Sequence, residues 1–258
     1  MKARSPHVPL GADTGADTAC RVYLVRHGRT IMNVEIRFRG RLEIPLDEKG
    51  REEAWQAATS LAGAGLTAVY TSPLGRAREV ADAISTTTGA PVVSLPDLVN
   101  LDYGDWEGLT KEECAARDPD AWHCYRTDPE TAACPGGEAL STAADRVMRA
   151  LRTIGETHPG EAVAAVTHGV MVRLAMLRAA PRPDTDWEVP LATGSSTLFE
   201  VCGEDVHLVA GPAAKPPVRV SGPVEGIPGE PVGSPAYGRA VVAPTPVPAL
   251  LLPEAARS

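Results

Sequence analysis

No apolar stretch in the 258 residues approaches the roughly 20 that a membrane span needs, and the opening ten residues, MKARSPHVPL, carry no signal-peptide core. The expectation is a cytoplasmic protein with no membrane partner. An excess of positive charge is missing as well: 25 Lys and Arg face 33 Asp and Glu, for a formal net charge of -8. Such a chain repels phosphate backbones as a whole, so nucleic acid is not an expected partner, and any anion site has to be a local concentration of charge. The five cysteines, Cys20, Cys114, Cys124, Cys134 and Cys202, form no CxxC pair and, being odd in number, cannot all pair internally. That argues against a disulfide framework or a structural zinc and for reduced, mostly buried thiols. HExxH-type and Asp-rich strings are absent too, so neither a metal site nor a cofactor is expected.

What is present divides the chain unevenly. Of the 24 prolines, 11 lie at 211–258, where Tyr237 is the only aromatic residue. A stretch of that kind can neither pair in a central sheet nor bury much surface, so 211–258 reads as a Pro-rich disordered tail. Residues 1–19, with two Gly-Ala-Asp-Thr repeats, read as a flexible leader on the same grounds. The folded unit is then 20–210, the size of one domain, and the chain's 43% hydrophobic content suffices for an ordinary core.

Within that unit, short apolar runs alternate with helical patterns. RVYLV at 21–25, AVYT at 68–71 and AVAAVT at 162–167 read as strands. Helical spacing follows at 48–61, with Asp47 as N-cap, and at 75–86, 138–156 and 170–178. Residues 196–201 and 206–210 read as a closing hairpin around Gly203 and Glu204. The alternation predicts an α/β fold, a three-layer α/β/α sandwich on a mainly parallel central sheet.

Three polar clusters occupy equivalent places in this pattern. Arg26-His27-Gly28 follows the first strand, 72–76 the second, and Thr167-His168-Gly169 the third. Residues just past the carboxyl ends of parallel strands converge on one crevice, with helix N-termini pointing into it. Six arginines fall at 21–41, opposed only by Glu35, and guanidinium forks match phosphate oxygens. A neutral imidazole flanked by such cations keeps a ring nitrogen free to attack phosphorus, while arginines and a second histidine steady the transferring group. Arg29, Arg37, Arg41 and Arg78 read as solvated or rim charges. His7, His123, His158 and His207 stand outside any motif and read as surface residues.

These residues resemble the histidine phosphatase superfamily, in its phosphoglycerate mutase-like branch. LVRHGRTIMN at 24–33 is similar to the signature RHG(x)(T/S)xxN, followed in family order by RFRG at 37–40 and PLDEKG at 45–50. TSPLGRAREVA at 71–81, LDYGDWEGLT at 101–110, CPGGE at 134–138 and VTHGVMVR at 166–173 continue the series. The resemblance implies a phosphoglycerate mutase-like fold and a metal-independent phosphatase acting on a small-molecule phosphate ester. It implies that His27 becomes phosphohistidine and that Arg26, Arg76 and His168 complete the phosphate pocket. Thr30 and Asn33 stand at signature positions expected to touch the phosphate. Arg39, beside Gly40, stands where the family more often has Gln, and adds charge for a second anionic group.

One position departs from the family pattern. Its proton-donating glutamate, four residues before the Gly of the acid loop, corresponds to Asn100, and an amide cannot give up a proton at useful pH. Asp102 is the first substitute to test, since alternation in an extended segment puts it on the same side as Asn100; Glu107 and Glu138 are the others. Three further readings stay open: a substrate whose leaving group needs little protonation, a phosphomutase of the phosphoglycerate mutase type, and a catalytically weak protein that binds a phosphate ligand.

Overall fold

The computed structural model describes residues 18–180 and 190–212, all within one compact unit. Apart from Thr18, Ala19, Gly211 and Pro212, the expected leader (1–19) and Pro-rich tail (211–258) lie outside the described residues.

Six strands, β1 (Cys20–Arg26), β2 (Leu66–Thr71), β3 (Val92–Ser94), β4 (Ala162–Thr167), β5 (Ser196–Cys202) and β6 (Asp205–Ala210), form one sheet in the order β3-β2-β4-β1-β5-β6. The first four positions of that order pair in parallel; β5 runs antiparallel to β1, and β6 antiparallel to β5. Strand alternation feeds two separate cores. Val22 and Leu24 of β1, Ala68 and Tyr70 of β2, and Val163 and Ala165 of β4 face one; Val25, Val69, Ala164 and Val166 face the other. Because β4 is buried on both faces along its whole length, its sequence is a continuous apolar run and not an alternating one.

Helices cover both faces. α2 (Glu48–Leu61) and α3 (Gly75–Thr88) close one side, with Ala54, Ala57, Ala58 and Leu61 of α2 turned inward. The Asp47 side chain caps α2 by accepting from the Gly50 amide at 2.7 Å, as the sequence predicts. α6 (Leu140–Thr157) and α7 (Gly169–Ala179) close the other side; Ala143, Val147, Leu151 and Ile154 make the buried stripe of α6. This is the predicted three-layer, mainly parallel architecture.

Four short elements were not legible in the pattern: β3, α1 (Ile31–Val34), α4 (Lys111–Arg117) and α5 (Pro119–Thr127). β3 is an exposed edge strand of three residues with no alternation to read. The 138–156 helix begins two residues later than expected, because the Glu138 amide donates to the Asp102 carbonyl at 2.9 Å and Ala139 pairs in extended form with Ala133. Among the described residues no helix is long and apolar enough to cross a membrane.

Candidate active site

The carboxyl ends of β1, β2 and β4 are neighbours in the sheet, and backbone hydrogen bonding continues one residue past them. The His27 amide donates to the Thr167 carbonyl at 3.0 Å, and the Ser72 amide donates to Val166 at 2.9 Å. Three chain segments far apart in sequence therefore meet at one edge. The His27 and His168 rings lie there with centroids 5.2 Å apart, and both side chains are fully buried.

Hydrogen bonding fixes the state of His27. Its Nδ1 lies 2.6 Å from the Gly28 carbonyl, which can only accept, so Nδ1 carries the proton and Nε2 keeps its lone pair. Burial, followed by the charges of Arg76, Arg26 and Arg39, holds the imidazole well below its ordinary value of 6.5. The ring is neutral at physiological pH. His168 is held down by burial first and then by Arg76. Its Nε2 sits 2.8 Å from Ser72 Oγ, which in turn accepts from the Leu74 amide at 3.4 Å. This leaves the Ser72 hydroxyl hydrogen available to Nε2, an arrangement in which the ring proton sits on Nδ1, a buried atom without a protein partner.

Two arginines are posed similarly. Arg76, fully buried on α3, donates Nη1 to the Leu42 carbonyl at 2.7 Å and Nη2 to the Gly40 carbonyl at 2.8 Å, while its Nε has no protein partner. Arg26 donates Nη1 to the Leu191 carbonyl, and its Nε is likewise unpartnered. Burial, with the charge of Arg39 as the next cause, lowers Arg26 to about 9 and Arg76 to about 10, so both remain cationic at neutral pH. Three buried donors, Arg26 Nε, Arg76 Nε and His168 Nδ1, thus cluster around His27 with their protein-directed valences already used elsewhere.

A cavity of about 310 Å³ opens over Arg26, His27 and His168, while Arg76 lies outside its lining. Of the residues expected from sequence, Arg26, His27, Asn33, Arg39, Asn100 and His168 line it. Asn33 has its Oδ1 committed to the Thr30 amide and hydroxyl at 3.0 and 2.9 Å, so its Nδ2 group is what it can offer a ligand. Thr30 itself lies beneath, fully buried, and holds Asn33. Gly40 contributes through its carbonyl, which accepts from Arg76 and, at 2.9 Å, from Asn100 Nδ2. The oxygen of that amide, Asn100 Oδ1, is buried and unpartnered.

Asp102 does not line the cavity. One of its oxygens accepts from the Gly104 amide at 3.0 Å and the other pairs with Arg41 at 3.2 Å. The two other candidate acids are also outside the lining: Glu107 accepts from the Arg41 amide at 2.7 Å, and Glu138 pairs with Arg146 at 2.8 Å. The alternation argument failed because a tight turn follows immediately, and its amide captures the Asp102 carboxylate. Rim position holds for Arg37, which borders the cavity while bonding Glu35 and Glu113. His158, read as a surface residue, is instead wedged between the Tyr70 hydroxyl at 3.0 Å and Glu161 at 2.7 Å.

Sequence reading missed three contributors. Arg173 and Lys111 line the cavity from α7 and α4, and Arg146 anchors the acid loop, donating to the Asp97, Val99 and Asn100 carbonyls and to Glu138. Arg173 had a signal: five residues after His168 on a helix, it stands near that helix's cavity end. Ile36 also borders the cavity; it is 64% exposed and adopts a positive φ of 58°. Among the described residues no three His, Cys, Asp or Glu side chains gather into a group fit to hold a metal.

The two depressed histidines have a consequence for stability. Above pH 6.5 both are neutral whether the chain is folded or not, and they make no pH-dependent contribution. Below it the unfolded chain takes up protons that the folded site refuses, so stability falls with falling pH, by up to about 1.4 kcal/mol per pH unit for each histidine. Urea midpoints measured at pH 7.5 and 5.5 are expected to drop at the lower pH, and His168→Gln is expected to lessen the drop.

The fold and this site together define a phosphoglycerate mutase-like α/β enzyme. Residues 22–211 match the model of the histidine phosphatase superfamily (branch 1), and the chain belongs to that family. It is 38% identical over 160 residues to a metal-independent phosphoserine phosphatase of Arabidopsis thaliana, covering 61% of this chain and 67% of that protein. Among solved structures, YhfR of Bacillus stearothermophilus superposes with a TM-score of 0.69 at 36% identity, over 74% of this chain and 96% of that one. A mycobacterial glucosyl-3-phosphoglycerate phosphatase in complex with VO3 superposes with a TM-score of 0.66 at 27% identity, over 74% and 96%. With relatives of these names the chain is, as a class, a phosphoric monoester hydrolase.

Proposed function

We propose that the chain is a metal-independent phosphatase that hydrolyses a small-molecule phosphate ester through a phosphohistidine on His27. The observation that carries this reading is the set of three buried, unpartnered donors, Arg26 Nε, Arg76 Nε and His168 Nδ1, around an imidazole whose Nε2 holds a lone pair. In the first step Nε2 forms a bond to phosphorus as the P–O bond to the alcohol breaks, the bonding pair leaving with that oxygen. The donors, with the Asn33 amide, bear the charge on the non-bridging oxygens, where a loose phosphoryl transition state needs most of its stabilisation. In the second step water attacks phosphorus, the N–P bond breaks, and Nε2 recovers its lone pair as inorganic phosphate departs.

The guanidiniums supply the charge that a metal would otherwise bring, so activity is expected to persist in excess chelator and to be inhibited by vanadate. Loss in chelator with recovery on adding a divalent ion would overturn the mechanism. The direct test is covalent: incubation with a 32P-labelled phosphate ester and an alkaline quench is expected to leave label on His27, and release of inorganic phosphate without an isomerised ester excludes a mutase. We place the substrate in the cytoplasm, a setting in keeping with five cysteines that are all free thiols.

A further inference from the structure

The lining of the cavity is one-sided. Among the described residues it includes Arg26, Arg37, Arg39, Lys111 and Arg173 and not one Asp or Glu side chain. Of the acids nearest in the chain, Asp102, Glu107 and Glu138 are each held outside it by an amide or an arginine. The remaining hydroxyl acids in the lining, Tyr103 and Tyr125, are buried and turned toward each other at 3.3 Å. At the position that the resemblance assigns to the proton donor, the cavity is lined by Asn100, whose Nδ2 is spent on the Gly40 carbonyl.

Such a wall gives a departing alkoxide no carboxylic acid to take a proton from, only the cations Lys111 and the guanidiniums, and it is built to attract anions. Arg39 makes no ion pair with a carboxylate among the described residues, unlike Arg37 beside it. From this geometry, and resting on the phosphohistidine reading above, we infer that the natural substrate carries its phosphoryl group on an acidic oxygen, of the phenol, enol or phosphate kind, and that the leaving group bears a further negative charge received by Arg39 and Arg173. The first step then balances without a proton donor: Nε2 bonds phosphorus, the P–O bond breaks, and the leaving group departs as a stable oxyanion with the bonding pair. In the second step the water protons go to the released phosphate and to solvent.

The test is a series of aryl phosphates whose phenols range from strongly to weakly acidic, each with and without a ring carboxylate, together with an alkyl phosphate and a diphosphate ester of the same alcohol. The readout is kcat/KM, which reports the first step even where hydrolysis of phosphohistidine limits turnover. A steep fall with decreasing acidity is expected, with the alkyl monophosphate about 100-fold or more below the diphosphate, the deficit of a missing general acid. The ring carboxylate is expected to raise kcat/KM in the wild type and not in Arg39→Gln. Asn100→Glu is expected to flatten the series by lifting its slow members, with unfolding midpoints checking that the variant folds. A flat series in the wild type, or an alkyl phosphate that matches the diphosphate, overturns the inference while label on His27 leaves the phosphohistidine reading standing. Absence of label with every member overturns both.

Discussion

Replacing His27 by alanine is expected to lower turnover about 10⁴-fold or more and to abolish covalent phosphate labelling, because the variant has no atom to take the phosphoryl group and water must attack directly. Inorganic phosphate should still bind, since Arg26 Nε, Arg76 Nε and His168 Nδ1 are untouched. That split between lost chemistry and retained binding is what separates a nucleophile from a buried structural histidine. A structural role would instead give a variant with weakened phosphate affinity, a lowered unfolding midpoint and turnover reduced only in proportion. Isothermal titration with phosphate, set beside a rapid-quench labelling experiment, decides between the two.

Gly50→Ala is expected to destabilise the protein by about 2–4 kcal/mol and to cut activity, although residue 50 contributes nothing to the cavity. A Cβ at Gly50 would stand 2.0 Å from the Arg29 carbonyl oxygen, and one at Gly28 would stand 2.3 Å from the Gly50 carbonyl. The first turn of α2 and the loop carrying His27 thus touch backbone to backbone. Neither side can yield, because Arg29 donates its amide to Glu53 at 2.9 Å and accepts from the Asp47 amide at 3.1 Å. An added methyl must push the His27 loop toward the cavity or α2 away from the sheet. Urea denaturation and kcat together are the measure, with Gly63→Ala as control, since a Cβ there meets nothing within 4 Å.

The layers and the phosphate end of the cavity were legible in the sequence for a simple reason. Strands buried on two faces, as at 162–167, and a capped amphipathic helix, as at 48–61, leave their period in the chain, and His27, His168 and Arg76 each follow such an element directly. The rest depends on side chains choosing between partners. Asp102 shares a strand face with Asn100 on paper, yet the Gly104 amide two residues on takes its carboxylate. Arg146 looks like any helix-surface arginine until α6 is laid against 97–100, where it finds three backbone carbonyls. Arg39 and Arg37 are two residues apart and chemically identical; the carboxylates of Glu35 and, from α4, Glu113 distinguish the paired guanidinium from the other.

The backbone at Ile36 has thermodynamic weight of its own. A β-branched residue in the left-handed region costs about 1–3 kcal/mol and persists only where its surroundings over-determine it. Here the hold comes from Arg37, whose amide donates to Met32 at 3.0 Å and whose guanidinium clasps Gly108, Glu35 and Glu113. One side chain, Arg37, thus both holds a costly backbone conformation and borders the mouth of the cavity.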